Sequence, residues 1–296
     1  VENARQLLDP AMLARLQGLP LRARRIVEGY VSGVHRSPLR GFSVEFAEHR
    51  DYSPGDDLRY LDWKAFGRTD KYYLKRFEEE TNLVCHLLLD VSESMRYQSD
   101  AAPLSKLDYA RRAAAALAYL VLHRQDSVGL VAFDGEVRAL VRAAGNPSHL
   151  NDILGAMEDA AAERKSAIGP IFHDLAERLK RRGIVVVLSD LFDEVESIAV
   201  GLKHLRHRRH EVVLMHVLDP AEVDFPFDEM TLFRGLEDSA DVLADPPAIR
   251  GAYRAEFGRY LRRLQSVCRA AAVDYVPMRT DRSLEVTLSN YLASRD

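Results

Sequence analysis

The hydrophobic rhythm of the chain changes near residue 83. Val84-Cys85-His86-Leu87-Leu88-Leu89 is a short, almost unbroken apolar run that stops at Asp90, which suits a strand buried on both faces of a parallel sheet. Leu107, Ala110, Ala114, Leu117 and Val121 then recur at spacings of three or four and predict a helix over about 106–124. Residues 127–133 read as a strand, and Asp134-Gly135 as a tight turn into a strand from Val137. Helices are expected over 148–160 and 168–182, the second closed by Lys180-Arg181-Arg182 and a glycine cap at Gly183. Ile184-Val185-Val186-Val187-Leu188 is the clearest strand in the chain and ends at Ser189-Asp190. A helix over 195–209, whose basic, histidine-rich end (His204, His207, His210) reads as solvated, precedes a strand over 211–218. After a polar, proline-containing stretch comes a long helix with the stripe Ile249, Tyr253, Phe257, Leu261, Leu264, Cys268 and Ala271. A last strand near 273–278 and a last helix near 284–292 close the chain.

Strands that alternate with helices, several of them apolar throughout, predict an α/β domain. We expect a three-layer, doubly wound and mostly parallel sheet over 82–296. Upstream, residues 9–31 suggest one or two amphipathic helices broken near Pro20. Between Glu45 and Glu80 ten acidic and seven basic residues interleave with eight aromatic ones, Trp63 among them. Disordered segments are poor in aromatics, so this region reads as an ordered module of turns and short strands cross-tied by ion pairs. Residues 1–81 are therefore expected to form a small helical and charged α+β module packed on the main domain. Arg50, Asp56, Asp57, Arg59, Asp62 and Trp63 are its structural candidates, with Arg59 pairing to Asp57 or Asp62.

Composition adds little direction. Of 296 residues 47% are hydrophobic and 29% charged, and the formal net charge of -4 steers the chain toward neither nucleic acid nor an anionic membrane. Cys85 and Cys268 sit in apolar patterns and are expected to be buried, reduced thiols. No apolar run approaches the roughly 18 residues of a membrane span, and the first residues carry no signal pattern, so a cytoplasmic location is expected.

Chemistry concentrates at two strand ends. Asp90, Ser92 and Ser94 follow the first buried strand, and Asp190 follows another. In open α/β sheets functional groups gather beyond the carboxyl ends of strands. A cluster of hydroxyl and carboxylate oxygens suits a hard cation such as Mg2+. Spacing alone leaves a second reading open, in which Asp90 and Ser92 cap the following helix.

Asp90-x-Ser92-x-Ser94-Met95, with the later Ser189-Asp190, resembles the metal-ion-dependent adhesion site of von Willebrand factor A domains. The upstream block is more specific: Gly29-Tyr30-x-x-Gly33-x-His35-x-Ser37, Gly41-Phe42-Ser43-x-Glu45-Phe46, Arg50-x-Tyr52-x-Pro54-Gly55-Asp56-Asp57, Leu58-Arg59-x-x-Asp62-Trp63-Lys64 and Lys75-x-x-Glu78-Glu79-Glu80-Thr81. Together they resemble the bacterial family of domain of unknown function fifty-eight, often encoded beside MoxR-type AAA+ ATPases. The resemblance implies direct metal oxygens from Ser92 and Ser94, with Asp90 and Asp190 holding metal-bound waters. It also implies a middle-loop hydroxyl, matched here by Ser166, although Ala167 replaces an acidic residue often found beside it. The implied cofactor is a divalent cation, Mg2+ first and Mn2+ or Ca2+ next.

Enzyme motifs are mostly absent: there is no Gly-Lys pair for a P-loop, no H-E-x-x-H and no C-x-x-C, and Gly41-Phe42-Ser43-Val44-Glu45 misses a G-x-S-x-G nucleophile elbow at its last position. The expected function is a non-enzymatic interaction module whose metal takes a carboxylate of a protein partner, which the resemblance suggests is a MoxR-type ATPase. The alternatives are a metal-dependent, phosphoesterase-like hydrolase on the same cluster, and a metal-free scaffold. Asp90→Ala is expected to abolish metal binding with little loss of fold.

Overall fold

The computed structural model describes residues 44–51, 62–69, 72–79, 83–160, 168–235 and 240–293. They fall into two compact units, one before and one after the junction at Asn82 and Leu83. The helices expected over 9–31, and Asp56, Asp57, Arg59, Ser166 and Ala167, lie outside the described residues.

The smaller unit is a hairpin with a helix. Strand β1 (Val44–Asp51) runs antiparallel to β2 (Tyr73–Glu79), with an irregularity in register between Phe46 and Glu48 and with Arg50 opposite Leu74. Between them lies helix α1 (Trp63–Thr69), where the charge pattern had suggested only turns and strands. Asp62 starts that helix: its Oδ1 accepts the Ala65 amide at 3.1 Å, a capping role that its expected pairing with Arg59 did not include. Trp63 is 64% exposed, and Phe66 stacks on Tyr72 at 4.5 Å.

The larger unit is a six-stranded sheet between two helical layers. Its strands are β3 (Val84–Asp90), β4 (Ser127–Phe133), β5 (Val137–Ala144), β6 (Ile184–Ser189), β7 (Glu211–Leu218) and β10 (Asp274–Arg279). They lie in the order β10-β7-β6-β3-β4-β5, all parallel except the edge strand β5. Counted within this sheet the order is 6-5-4-1-2-3, a doubly wound arrangement with its switch point at β3. The expected three-layer, mostly parallel α/β fold is present.

Burial follows from strand periodicity. On β3, Leu87 and Leu89 face a core made with α2 (Lys106–His123), α3 (His149–Asp159) and α8 (Leu284–Ala293). Leu88 faces the opposite core, built with α4 (Ile168–Arg178), α5 (Val195–His207) and α7 (Pro246–Ala270). Small side chains let α2 lie close on the sheet: Ala110, Ala113, Ala114, Ala116 and Ala118 are all fully buried in the first core.

Three local readings change. Helix α4 ends at Arg178, and Gly183 does not take the left-handed conformation of a helix cap. The polar stretch after β7 holds a short helix α6 (Pro220–Asp224) and a hairpin of β8 (Thr231–Phe233) with β9 (Val242–Ala244). In α7 only Pro246, Leu264 and Cys268 are buried, so the first half of the apolar stripe is no core seam. Tyr253 stacks there on Phe225 at 4.3 Å, and its hydroxyl donates to the Glu222 carbonyl at 2.9 Å.

Candidate functional site

Strands β3 and β6 are neighbours in parallel register, with Leu89 opposite Leu188. Their carboxyl ends therefore deliver Asp90 and Asp190 to the same edge of the sheet. Beyond β3 the chain makes a 3-10 turn, Glu93–Arg96, and a loop before α2 begins at Lys106. Helix α2 is capped by Ser105, whose Oγ accepts the Asp108 amide at 3.0 Å. Asp90 and Ser92 do not cap it, so that alternative falls.

The polar side chains instead bond to one another. Asp90, fully buried, accepts the Ser92 amide at 2.9 Å through Oδ1 and the Ser189 hydroxyl at 2.6 Å through Oδ2. The Ser92 and Ser94 hydroxyl oxygens lie 3.2 Å apart. Ser94 hydrogen-bonds in turn to the Asp190 carboxylate, which also accepts the Phe192 amide at 3.2 Å. Ser189, which sequence reasoning used only to flank Asp190, ties the two strand ends together. Its Oγ also accepts the Leu191 amide at 2.9 Å.

That loop is strained. Leu191 has φ 56 although it carries a side chain, and its carbonyl is held by the hydroxyl of Tyr260 from α7. The turn leaves Phe192 61% exposed at the lip of the site.

Two residues absent from the sequence reading complete the network. The Lys106 ammonium, at the first position of α2, donates to Asp190 Oδ2 at 2.8 Å and to Glu222 Oε1 at 2.5 Å. Glu222 belongs to α6 and forms a capping box with Asp219, accepting its amide at 2.9 Å. The Asp219 side chain takes the Ala221 amide at 2.8 Å and the Ser99 amide at 3.0 Å. An apolar helix pattern absorbs a lysine at its first turn without trace; the signal within reach was Asp219-Pro220-x-Glu222, a helix start placed after a strand.

The charges are unequally supported. Burial, and then the nearby Asp190 charge, push the Asp90 carboxyl up to about 7, against the hydrogen bonds from Ser189 and Ser92. Burial also works to raise Asp190, but the Lys106 charge and hydrogen bond outweigh it and hold that carboxyl below its usual range. Burial drives the imidazole of His216 down to about 4. Both its ring nitrogens are engaged, Nε2 with the Asp190 carbonyl at 2.9 Å and Nδ1 with the Tyr275 hydroxyl at 2.7 Å.

The donor set fits a hard cation. Two hydroxyls converge beside two carboxylates, and every donor is oxygen. Among the described residues no three acidic, histidine or cysteine side chains group as metal ligands, so waters would complete any shell. Asp90, Ser92, Ser94 and Asp190 thus come together; Ser166 lies outside the described residues.

Residues 48–263 match the family described as Protein of unknown function DUF58. The chain belongs to that family. It is 26% identical over 293 residues to the uncharacterized protein Rv1480 of Mycobacterium tuberculosis, spanning 97% of this chain and 90% of that one. Among solved structures it is similar to the conserved hypothetical protein BatB from Bacteroides thetaiotaomicron. That likeness has TM-score 0.48 and 14% identity, over 72% of this chain and 99% of that one. The SpRpn10 VWA domain gives TM-score 0.41 and 11% identity, over 71% of this chain and 95% of that domain. No described helix is long and apolar enough to cross a membrane.

Proposed function

We propose that this protein is a non-enzymatic interaction module that uses the β3–β6 edge to hold a divalent cation and, through it, an acidic group of a protein partner. Ser92 and Ser94 would supply direct oxygens, with Asp90 and Asp190 orienting bound waters and balancing the charge. The observation that carries the reading is the hydroxyl pair, 3.2 Å apart, between two carboxylates from adjacent strands. A Mg2+ ion dehydrates reluctantly and would keep several waters in such a setting, with a partner carboxylate taking the place of one of them. The bound ion would polarise its ligands and bridge two acidic groups that otherwise repel.

Catalysis is not part of this reading. A hydrolase on the same cluster needs a general base within reach of a bound water, and the imidazole that contacts the Asp190 backbone, His216, has both nitrogens engaged and is made a weak base by burial. The partner class that the family resemblance implies is a MoxR-type AAA+ ATPase, which would supply the nucleotide-driven step that this sequence has no P-loop to perform.

Calorimetric titration with Mg2+ and Mn2+ tests the cation. Binding by the wild type, lost in the double Ser92→Ala, Ser94→Ala variant, is the expected result. Equal binding by both proteins would place the cation elsewhere.

A further inference from the structure

Lysine is seldom fully buried, yet the Lys106 side chain is 2% exposed. It also occupies the first turn of α2, where the helix dipole disfavours positive charge. Helix formation does not explain the residue. Its surroundings do: the ammonium lies between Asp190, 3% exposed, and Glu222, 28% exposed, and 5.9 Å from the centre of the Tyr97 ring. Two carboxylates from separate elements, the β6 end and α6, converge on a positive charge that the chain itself provides.

We propose that Lys106 is a tethered competitor for the cation at this edge. Its ammonium holds Asp190 Oδ2, an oxygen on the same carboxylate that Ser94 faces, so an incoming divalent ion meets a fixed like charge. Binding then requires the ammonium to release Asp190 and remain with Glu222 alone. Opposition between a unit charge and a divalent ion a few ångströms apart is large in a site shielded from water. The isolated protein accordingly binds the ion weakly, and a partner's carboxylate, by adding negative charge, tips the balance. Lys106 makes cation capture conditional on the partner. This inference rests on the reading of the edge as a cation site.

The test compares wild type with the double Lys106→Met, Glu222→Gln variant in calorimetric titrations with Mn2+. The pair removes one positive and one negative charge, so the net charge is unchanged. The side-chain carbonyl that Glu222→Gln introduces can still accept the Asp219 amide. At least tenfold tighter Mn2+ binding by the variant is expected. Equal or weaker binding by the variant, with the wild type binding, overturns the role of Lys106 and leaves the cation site standing. Absence of binding in both overturns the cation site and this inference together. Should the variant not fold, the wild type decides: the 15N resonance of the buried Lys106 ammonium must shift on saturation with Mg2+, and an unmoved resonance overturns the proposal.

Discussion

Gly183 lies against the main chain of Val84: a Cβ built on it would stand 2.0 Å from the Val84 carbonyl oxygen. The glycine serves a close approach of the β6 start to β3 and not the end of a helix. Because the obstacle is backbone in the central strand, neither side can yield cheaply.

Gly183→Ala should therefore destabilise the protein by about 2 kcal/mol or more, since steric overlap in a packed core costs on that order. Gly155, inside α3, is the contrast: a Cβ there meets nothing within 4 Å. Gly155→Ala should stabilise by about 0.5–1 kcal/mol through helix propensity. Urea unfolding of both variants measures the difference, and equal shifts would refute the steric account.

Asp90 tests the site without unfolding it. Its carboxylate takes the Ser92 amide and the Ser189 hydroxyl, so Asp90→Ala strands two buried donors. The expectation of little loss of fold on that substitution therefore gives way to a cost of about 2–4 kcal/mol. Asp90→Asn keeps an acceptor and should fold with near wild-type stability while losing divalent-cation binding. An Asn variant that binds Mn2+ as tightly as wild type would remove Asp90 from the site.

Acid sensitivity should trace in part to His86. Burial pushes its imidazole from 6.5 down to about 4. The unfolded chain thus binds the proton first, so this contribution is complete above pH 6.5 and is lost as pH falls toward 4. Buried Asp126, raised to about 6 by desolvation, acts in the opposite sense over an overlapping range. The comparison must therefore be made between wild type and His86→Gln. The stability of the variant relative to wild type should rise by up to about 3 kcal/mol between about pH 7 and pH 4. A pH-independent difference would show that His86 does not titrate as burial dictates.

The thiols should be inert in the native protein. Cys85 and Cys268 are both free and buried, and burial raises their thiols to about 12 and about 11. Alkylation at about pH 8 should proceed only through unfolding, with a rate that follows added denaturant. Rapid labelling without denaturant would contradict the burial.

Much of this was legible before any coordinates. The apolar runs ending at Asp90 and at Ser189-Asp190 announced parallel strands, because a strand covered on both faces has no polar alternation to blur its ends. The hairpin at Asp134-Gly135 and the helix over 106–123 were marked by turn chemistry and by period. The lysine was not legible: Lys106 reads as an ordinary polar residue at a helix start, and only its two distant carboxylates, 84 and 116 residues away, reveal its burial. The aromatic stripe of α7 misled for a related reason. Tyr253 sits at core spacing, but its hydroxyl holds the carbonyl of Glu222, which no periodicity distinguishes from packing; Tyr260, outside the stripe, holds that of Leu191.

The register of Leu89 against Leu188 makes the sheet a ruler for the site. Adjacent strands keep a spacing of about 4.8 Å, set by backbone hydrogen bonds that run the length of both strands. The gap between the ends of β3 and β6, at Asp90 and Ser189, cannot widen or narrow without unzipping the middle of the molecule. Any adjustment to a guest must come from the parts that are not strand: the 3-10 turn carrying Ser94, the strained Leu191 turn, and the reach of one lysine. An inserted residue in β6 would not merely shift Asp190; it would turn the residue to the opposite face and erase the site in a single step.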